Sequence, residues 1–153
     1  MIKPDRIEAK DAFRVIGLNR SYTIETRGGI PQQWAEWDYN AVTGADFDRV
    51  FGVSHGFDGK SGFDYACTMQ VNPEAPVPEG QTELMIPGGE YAIFVHDGHV
   101  SGIASVFDAV CKDVDLGEGR QMAFGPQLEF YTEEFDPGTA TGKVELWFPI
   151  KFA

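Results

Sequence analysis

The sequence has few basic residues and a large excess of acidic ones. Only 12 of its 153 residues are lysine or arginine, against 24 aspartates and glutamates, so the formal net charge is −12. This charge argues against direct binding to nucleic acid or to an anionic membrane, because such surfaces need basic residues to neutralise phosphate. It favours a cationic partner, or it serves solubility alone.

Cysteine is also scarce, and nothing in the sequence forms a metal-binding pattern. Cys67 and Cys111 form no C-x-x-C motif. We expect both to be reduced core thiols, with a single disulfide between them left open. His96 and His99 have one adjacent carboxylate, Asp97, whereas a structural zinc site needs four ligands. The sequence therefore predicts no metal and no cofactor.

Neither a targeting segment nor a membrane anchor is visible. The N-terminus, MIKPDRIEAKD, lacks the hydrophobic stretch of a signal peptide. No apolar run approaches the ~18 residues that a membrane-spanning helix needs. We therefore expect a cytoplasmic protein. The hydrophobic content of 42% and the aromatic content of 13% exclude a disordered acidic tail and indicate a packed core.

The periodicity of apolar residues predicts the order strand–helix–strand–strand twice along the chain. Between the two copies, a proline-rich segment over residues 72–82 is typical of a linker. A turn is expected at Asp97–Gly98, and Ile103, Val106, Phe107 and Val110 have the spacing of one helix face. The predicted strands span about residues 12–23, from 49 onward, 63–71, 90–96, 121–135 and 143–152, and the predicted helices span 31–40 and 101–114.

Two segments at a constant offset support a duplication. Phe51–Phe57 aligns with Phe124–Phe130 and shares two phenylalanines and a glycine with it. We therefore predict one α+β domain made of two βαββ units with pseudo-twofold symmetry, over residues 10–72 and 83–153. One helix cannot cover both faces of a three-stranded sheet, so we expect the units to pack together with a ligand groove between them.

Glu129 is the most informative polar residue. Strand alternation places Leu128 and Phe130 on one face, and Glu129 with Tyr131 on the other. The counterpart of Glu129 in the first repeat is Gly56, so only one repeat has a carboxylate at this place. A solvated strand glutamate and a charged pocket floor both agree with this pattern.

Nearby aromatic residues favour the pocket. Tyr65 and Trp147 are predicted at corresponding places in the last strand of each repeat, and Trp34 and Trp37 share one face of the first helix. Rings around a carboxylate suit an organic cation, because each cation–π contact is worth ~0.5–2 kcal/mol and the carboxylate adds Coulomb attraction. Taken singly, each of these aromatic residues is better explained as part of the core.

Several segments together are typical of one known family. They are Ile86–Gly98, Phe124–Tyr131 and Val144–Ile150, and more loosely Arg14–Leu18, Trp34 and Tyr65–Cys67. In them the sequence resembles the GyrI-like small-molecule-binding domain, which is also the effector-binding domain of AraC/Rob-type and MerR-type multidrug regulators. The resemblance covers about residues 12–152 and is more specific in the second half than in the first.

This resemblance implies a stand-alone module that binds hydrophobic organic cations, as a sensor in transcription regulation or by sequestration. No helix-turn-helix is expected within 153 residues, and mobile integron cassettes encode some such members. A separate regulator protein and a homodimer are left open as partners. The family's cation-recognising glutamate falls on Glu129 and its aromatic residues on Tyr131, Trp147 and Tyr65, while Phe107 stands where relatives often have Trp. With Trp34 and Trp37 of the first helix, these are the expected aromatic walls of the site.

Two other functions stay open at this point. Some members of the family hydrolyse electrophilic small molecules with the pocket glutamate activating water, although no second catalytic group is evident and we assign no catalytic residue. Other members bind topoisomerase, and an acidic chain is able to mimic nucleic acid toward a basic enzyme. A binding module is preferred, and whether turnover occurs is undecided.

Overall fold

The computed structural model describes residues 1–153, which divide into two compact units. The first unit is Ala12–Pro87, and the second is Gly88–Ala153 together with Met1–Asp11. The division between the units therefore falls after Pro87, later than the predicted linker over residues 72–82. The N-terminal segment Met1–Asp11 belongs to the second unit.

The fold is α+β, as predicted, with nine strands and two α-helices. Short 3₁₀ turns precede both helices and follow the first. In chain order the elements are β1 (Arg6–Lys10), β2 (Phe13–Thr23), α1 (Ile30–Glu36), β3 (Ala45–His55), β4 (Gly62–Val71), β5 (Thr82–Ile86), β6 (Gly89–His99), α2 (Ile103–Lys112), β7 (Arg120–Met122), β8 (Gln127–Tyr131) and β9 (Thr141–Phe152).

Each unit contains the predicted strand–helix–strand–strand order and one additional edge strand. In the first unit the antiparallel order is β5-β2-β4-β3, and in the second it is β1-β6-β9-β8. The edge strands β5 and β1 were not predicted. Each pairs with the first strand of its repeat, so both units have four main strands instead of three.

Three predicted elements differ from the structure. Asp97–Gly98 is not a turn, because β6 continues through it and pairs with β9 as far as His99. The strand predicted over residues 121–135 is interrupted: β7 and β8 pair with successive parts of β9. The first helix ends at Glu36, where Trp37 becomes extended, instead of continuing to residue 40.

The core of each unit lies between its helix and one face of its sheet. In the second unit, Ile103 and Val110 of α2 pack against alternate residues of β9, from Val144 to Ile150. We call this side the α2 face. In the first unit, Ile30, Trp34 and Trp37 pack against alternate residues of β4, among them Tyr65 and Met69. We call this side the α1 face.

The two cysteines form no disulfide and lie in different environments. Cys67 is buried in the core of the first unit, as expected, whereas Cys111 is exposed on α2. The expectation of two core thiols is therefore wrong for Cys111. Neither α-helix has the length and the apolar content that crossing a bilayer requires.

Candidate functional site

Glu129 and Tyr131 lie side by side on the α2 face of the second unit. In the β8–β9 register, Glu129 is opposite Leu146 and Tyr131 is opposite Val144, two residues that pack beneath α2. Both polar side chains are half-buried. The Tyr131 hydroxyl donates a hydrogen bond of 2.7 Å to Oε1 of Glu129. The phenol therefore fixes one carboxylate oxygen through a charge-assisted bond.

Aromatic rings share the α2 face with this carboxylate–phenol pair. Tyr131, Phe107 and Phe135 are all partly buried against the same core cluster. The Phe135 ring meets Tyr131 at 4.8 Å between centroids, and Phe107 of α2 meets Phe148 at 5.0 Å. The α2 face thus combines one acidic group with apolar ring surfaces, which is the chemistry that a hydrophobic cation requires.

Trp147 faces the other side of the same sheet. It is opposite Leu128 in the register, so its side chain points away from the α2 face. The indole is 1% exposed and lies 5.8 Å from Tyr91 and 5.7 Å from Phe130 between ring centroids. The sequence predicts Trp147 and Glu129 in one ligand-binding site, but in the structure they lie on opposite faces of the sheet.

The place of Trp147 also differs from that of Tyr65, its predicted counterpart. Tyr65 points toward α1 in its unit, whereas Trp147 points away from α2 in its own. Tyr65 and Trp147 lie at similar positions along the last strands of their repeats, but their side chains point to opposite faces relative to the helix. Because successive strand residues alternate between faces, a difference of one residue in register is enough to produce this result.

A charged side chain already covers the Trp147 ring. The Lys10 ammonium lies 4.6 Å from the ring centroid, and Glu8 Oε2 accepts from it at 2.6 Å. Hydrogen bonds from Lys10 and then Arg6 lower the pKa of Glu8. Trp147 Nε1 donates to Glu145 Oε1 at 3.0 Å. These contacts make Trp147 part of a charged network on the face opposite Glu129.

In the first unit, the structure brings Trp34, Trp37 and Tyr65 together on the α1 face. The Trp34 ring is 5.8 Å from Trp37 and 6.4 Å from Tyr65, with nearly perpendicular planes in both pairs. Trp34 Nε1 donates to the Tyr65 hydroxyl at 3.1 Å. Trp37 Nε1 donates to Gln81 Oε1 at 3.1 Å. The three predicted aromatic residues thus form one cluster.

Gln33 anchors this cluster to the sheet and was not singled out from the sequence. Its side chain is fully buried, its amide nitrogen donates to the carbonyls of Leu18 and Tyr65 at 2.8 Å each, and its oxygen accepts from Tyr22 at 2.7 Å. Gln33 precedes Trp34, so these bonds fix the position of the indole. The available signal was the position of Gln33 on the helix face that also contains Ile30 and Trp37, where a polar side chain needs buried hydrogen-bond partners.

Phe135 was missed as a neighbour of Tyr131 because the predicted strand placed it four residues farther along an extended chain. A turn at Thr132–Phe135 reverses the direction of the chain instead. The structure contains no group of three or more His, Cys, Asp or Glu residues that could hold a metal ion.

The comparison with known families agrees with this fold. Residues 5–151 match the family described as the GyrI-like small molecule binding domain, and the chain belongs to that family. The transcriptional regulator BrlR of Pseudomonas aeruginosa is 26% identical over 148 residues, which are 95% of this chain and 54% of the regulator. The chain therefore spans about half the length of this curated relative.

Solved structures with the same fold are more distant in sequence. An integron cassette protein from the mobile metagenome of Vibrio cholerae aligns with a TM-score of 0.68 at 17% identity, over 95% of each chain. SAV2435 bound to tetraphenylphosphonium aligns with a TM-score of 0.67 at 13% identity, over 95% of this chain and 93% of that one. The C-terminal domain of EcmrR aligns with a TM-score of 0.65 at 12% identity, over 97% of both chains. These likenesses establish the fold alone.

Proposed function

We propose that this domain binds hydrophobic organic cations on its α2 face, with Glu129 as the counter-ion. The observation on which this proposal rests is the hydrogen bond of 2.7 Å from the Tyr131 hydroxyl to Glu129 Oε1, on a half-buried surface. Tyr131 and Phe107 are proposed as the ring surfaces that contact the cation. A large cation with aromatic substituents gains Coulomb attraction from the carboxylate and cation–π attraction from the rings.

Three further facts support this proposal. The family is described as a small molecule binding domain. One protein with this fold, SAV2435, was solved with tetraphenylphosphonium, a bulky aromatic cation. The formal net charge of −12 raises the local concentration of cations around the protein.

Roles for Trp34, Trp37 and Tyr65 in ligand binding stay predictions from the sequence. Their cluster supplies ring surface, and Trp34 is only half-buried. Trp34→Leu tests this role in the titration described next. Trp147 is left out of the proposed site because it lies on the opposite face from Glu129.

The test is isothermal titration calorimetry with tetraphenylphosphonium. Glu129→Gln is expected to weaken binding at least about tenfold, the size of a lost charge interaction in a partly desolvated site. The matched control is Glu133→Gln, because Glu133 is exposed just after β8 and this variant changes the net charge equally. Binding by the control is expected to stay within about twofold of wild type.

A neutral ligand separates charge recognition from packing. Triphenylphosphine oxide has similar rings and no net charge, so Glu129→Gln is expected to leave its weaker binding nearly unchanged. Equal losses for the cation and the neutral compound, or equal losses in Glu129→Gln and Glu133→Gln, would contradict a counter-ion role for Glu129.

We further propose that cation binding serves a sensing role. BrlR is a transcriptional regulator, and this chain matches about half of it. A sensor must change its affinity for a second macromolecule when the cation binds, whereas a sequestering protein need not. Pull-downs from host extract with and without tetraphenylphosphonium distinguish the two roles, and a cation-independent set of captured proteins argues for sequestration.

A further inference from the structure

The connection between β8 and β9 folds the Phe135 ring back onto Tyr131. The two ring centroids are 4.8 Å apart and the planes meet at 68°, which is an edge-to-face arrangement. Phe135 lies beyond the end of β8, so this contact depends on how the connecting loop turns. Both rings are also partly buried against the core cluster of the α2 face.

Hydrogen bonds within the loop fix this turn. The Thr132 hydroxyl donates to the carbonyl of Lys143 at 2.7 Å, which ties the end of β8 to β9. The Phe135 backbone N–H donates to the carbonyl of Thr132 at 3.0 Å, and the Asp136 N–H donates to Thr141 at 2.7 Å. Since the backbone is held on both sides of Phe135, the direction of its ring is defined.

Gly142 provides the space that this turn needs. A Cβ atom at Gly142 would lie 2.1 Å from the carbonyl oxygen of Glu134 and 2.7 Å from Cα of Phe135. The φ angle of Gly142 is +129°, a conformation that other residues rarely adopt. The backbone at Phe135 therefore approaches β9 more closely than any side chain at position 142 would allow.

We propose that Phe135 is a positioning residue for the Tyr131–Glu129 pair. Residues two apart on a strand are separated by roughly 7 Å along it, so the Tyr131 ring must lean along β8 to reach Glu129. The edge-to-face contact between Phe135 and Tyr131 holds the Tyr131 ring in this leaning direction. This inference rests on the proposed function and adds a residue that acts on the cation site through the Tyr131 ring.

The first test needs no ligand. In protein labelled with ¹³C at tyrosine Cζ, Tyr131→Phe assigns the Tyr131 resonance, and Glu129→Ala gives its position without the hydrogen bond to residue 129. Phe135→Leu is expected to move the resonance at least about halfway to that position, and by more than the same substitution moves it in the Glu129→Ala background, where only the loss of the Phe135 ring current acts. The matched control is Phe63→Leu in the first unit, because Phe63 contacts a different tyrosine, Tyr22, at 6.1 Å between ring centroids. An unmoved Tyr131 resonance in Phe135→Leu overturns the proposal.

The second test is a double-mutant cycle on tetraphenylphosphonium affinity. Phe135→Leu is expected to weaken binding about three- to tenfold when Tyr131 is present. In the Tyr131→Phe background the same substitution should change affinity less than about twofold, because Phe135 acts through the hydroxyl. Equal losses in both backgrounds would show a general packing effect and overturn the proposal.

The two tests also separate this proposal from the proposed function. If wild type does not bind tetraphenylphosphonium, the proposed function fails, whereas the tyrosine resonances still report on Phe135. Should Phe135→Leu not fold, as judged by its melting curve, Phe135→Met keeps more of the side-chain volume and is examined with the same two readouts.

Discussion

The carboxylate of Glu129 and the indole of Trp147 lie on opposite faces of one sheet, although their strands are hydrogen-bonded neighbours. Leu128 is opposite Trp147 in the register, and Glu129 is opposite Leu146. A cation held by Glu129 therefore contacts the α2 face, whereas Trp147 contacts Lys10 on the other face. An aromatic residue on a strand next to that of a charged residue therefore need not lie beside the charge, because the two side chains can point to opposite faces of the sheet.

Trp147→Phe is therefore expected to affect stability and not cation binding. Trp147 is 1% exposed, so the smaller ring leaves a gap in packing that costs about 1–3 kcal/mol of unfolding free energy. Urea denaturation measures this loss. Tetraphenylphosphonium affinity should remain within about twofold of wild type, since this residue is outside the proposed site. A tenfold loss of affinity in a folded Trp147→Phe protein would show that Trp147 takes part in cation binding.

Much of the fold was predictable because its long elements have clear local patterns. Ile103 and Val110 of α2 are buried as the helical spacing predicted, and β2 begins within one residue of its predicted start. The edge strand β1 was missed because Arg6–Lys10 alternates charged and apolar residues over only five positions. Its pairing with β6 is a contact distant in sequence, which no local pattern encodes.

Strand alternation predicted which neighbours of Glu129 share its face, but the sequence did not predict how the other aromatic side chains are placed around it. The alternation around Glu129 correctly placed Tyr131 beside it and Leu128 on the other face. The direction of Trp147 depends on the register between β8 and β9, and a shift of one residue reverses it. The contact of Phe135 with Tyr131 depends on a turn that is stabilised by hydrogen bonds to β9.

Gln33→Leu is expected to destabilise the first unit strongly. The substitution leaves the carbonyls of Leu18 and Tyr65 without the amide that bonds them in the buried core. Gln33→Leu loses three hydrogen bonds worth about 0.5–1.5 kcal/mol each, so we expect a total loss of about 2–4 kcal/mol. The measurement is the urea midpoint, monitored by tryptophan fluorescence.

The control for Gln33 is its neighbour on the helix. Gln32 is exposed, and its amide nitrogen donates a hydrogen bond to Glu36 Oε1 at 3.0 Å on the helix surface. Gln32→Leu makes the same chemical change on the solvent side and should alter stability by less than about 0.5 kcal/mol. Similar losses for the two variants would mean that the buried hydrogen bonds of Gln33 contribute little.

Arg14 holds the proline-rich segment against the sheet. Its guanidinium donates to Glu83 on β5 at 2.8 and 2.5 Å, and to the carbonyls of Ala75 at 2.7 Å and Asn72 at 3.2 Å. Arg14→Lys cannot reproduce this forked geometry, and we expect a loss of about 1–3 kcal/mol. Limited proteolysis should also cleave residues 72–80 faster in this variant.

Arg20→Lys provides the comparison for Arg14. Arg20 pairs with Glu36 at the surface, and its side chain is 39% exposed. Because exposed ion pairs contribute about 0–1 kcal/mol, this variant should remain near wild-type stability and proteolytic resistance. Cleavage of residues 72–80 at an unchanged rate in Arg14→Lys would show that another contact holds this segment.

His55 is expected to make the stability of the protein decrease in mild acid. Its Nε2 lies 2.8 Å from Oδ1 of Asn19, so the Nε2–H of the neutral ring donates a hydrogen bond to this oxygen. Burial lowers the pKa of His55, and the nearby Asp64 carboxylate opposes this effect only in part. The unfolded chain therefore binds a proton at a higher pH than the folded chain, and stability falls as the pH drops below about 6.5.

Urea denaturation at several pH values between about 7.5 and 5.5, a range centred on the ordinary histidine pKa, checks this expectation. His55→Gln should flatten the fall in unfolding free energy over this range, because the variant has no proton to gain at this position. If His55→Gln keeps the full slope, the pH dependence arises from other groups, and the half-buried ring of His55 does not resist protonation in the folded state.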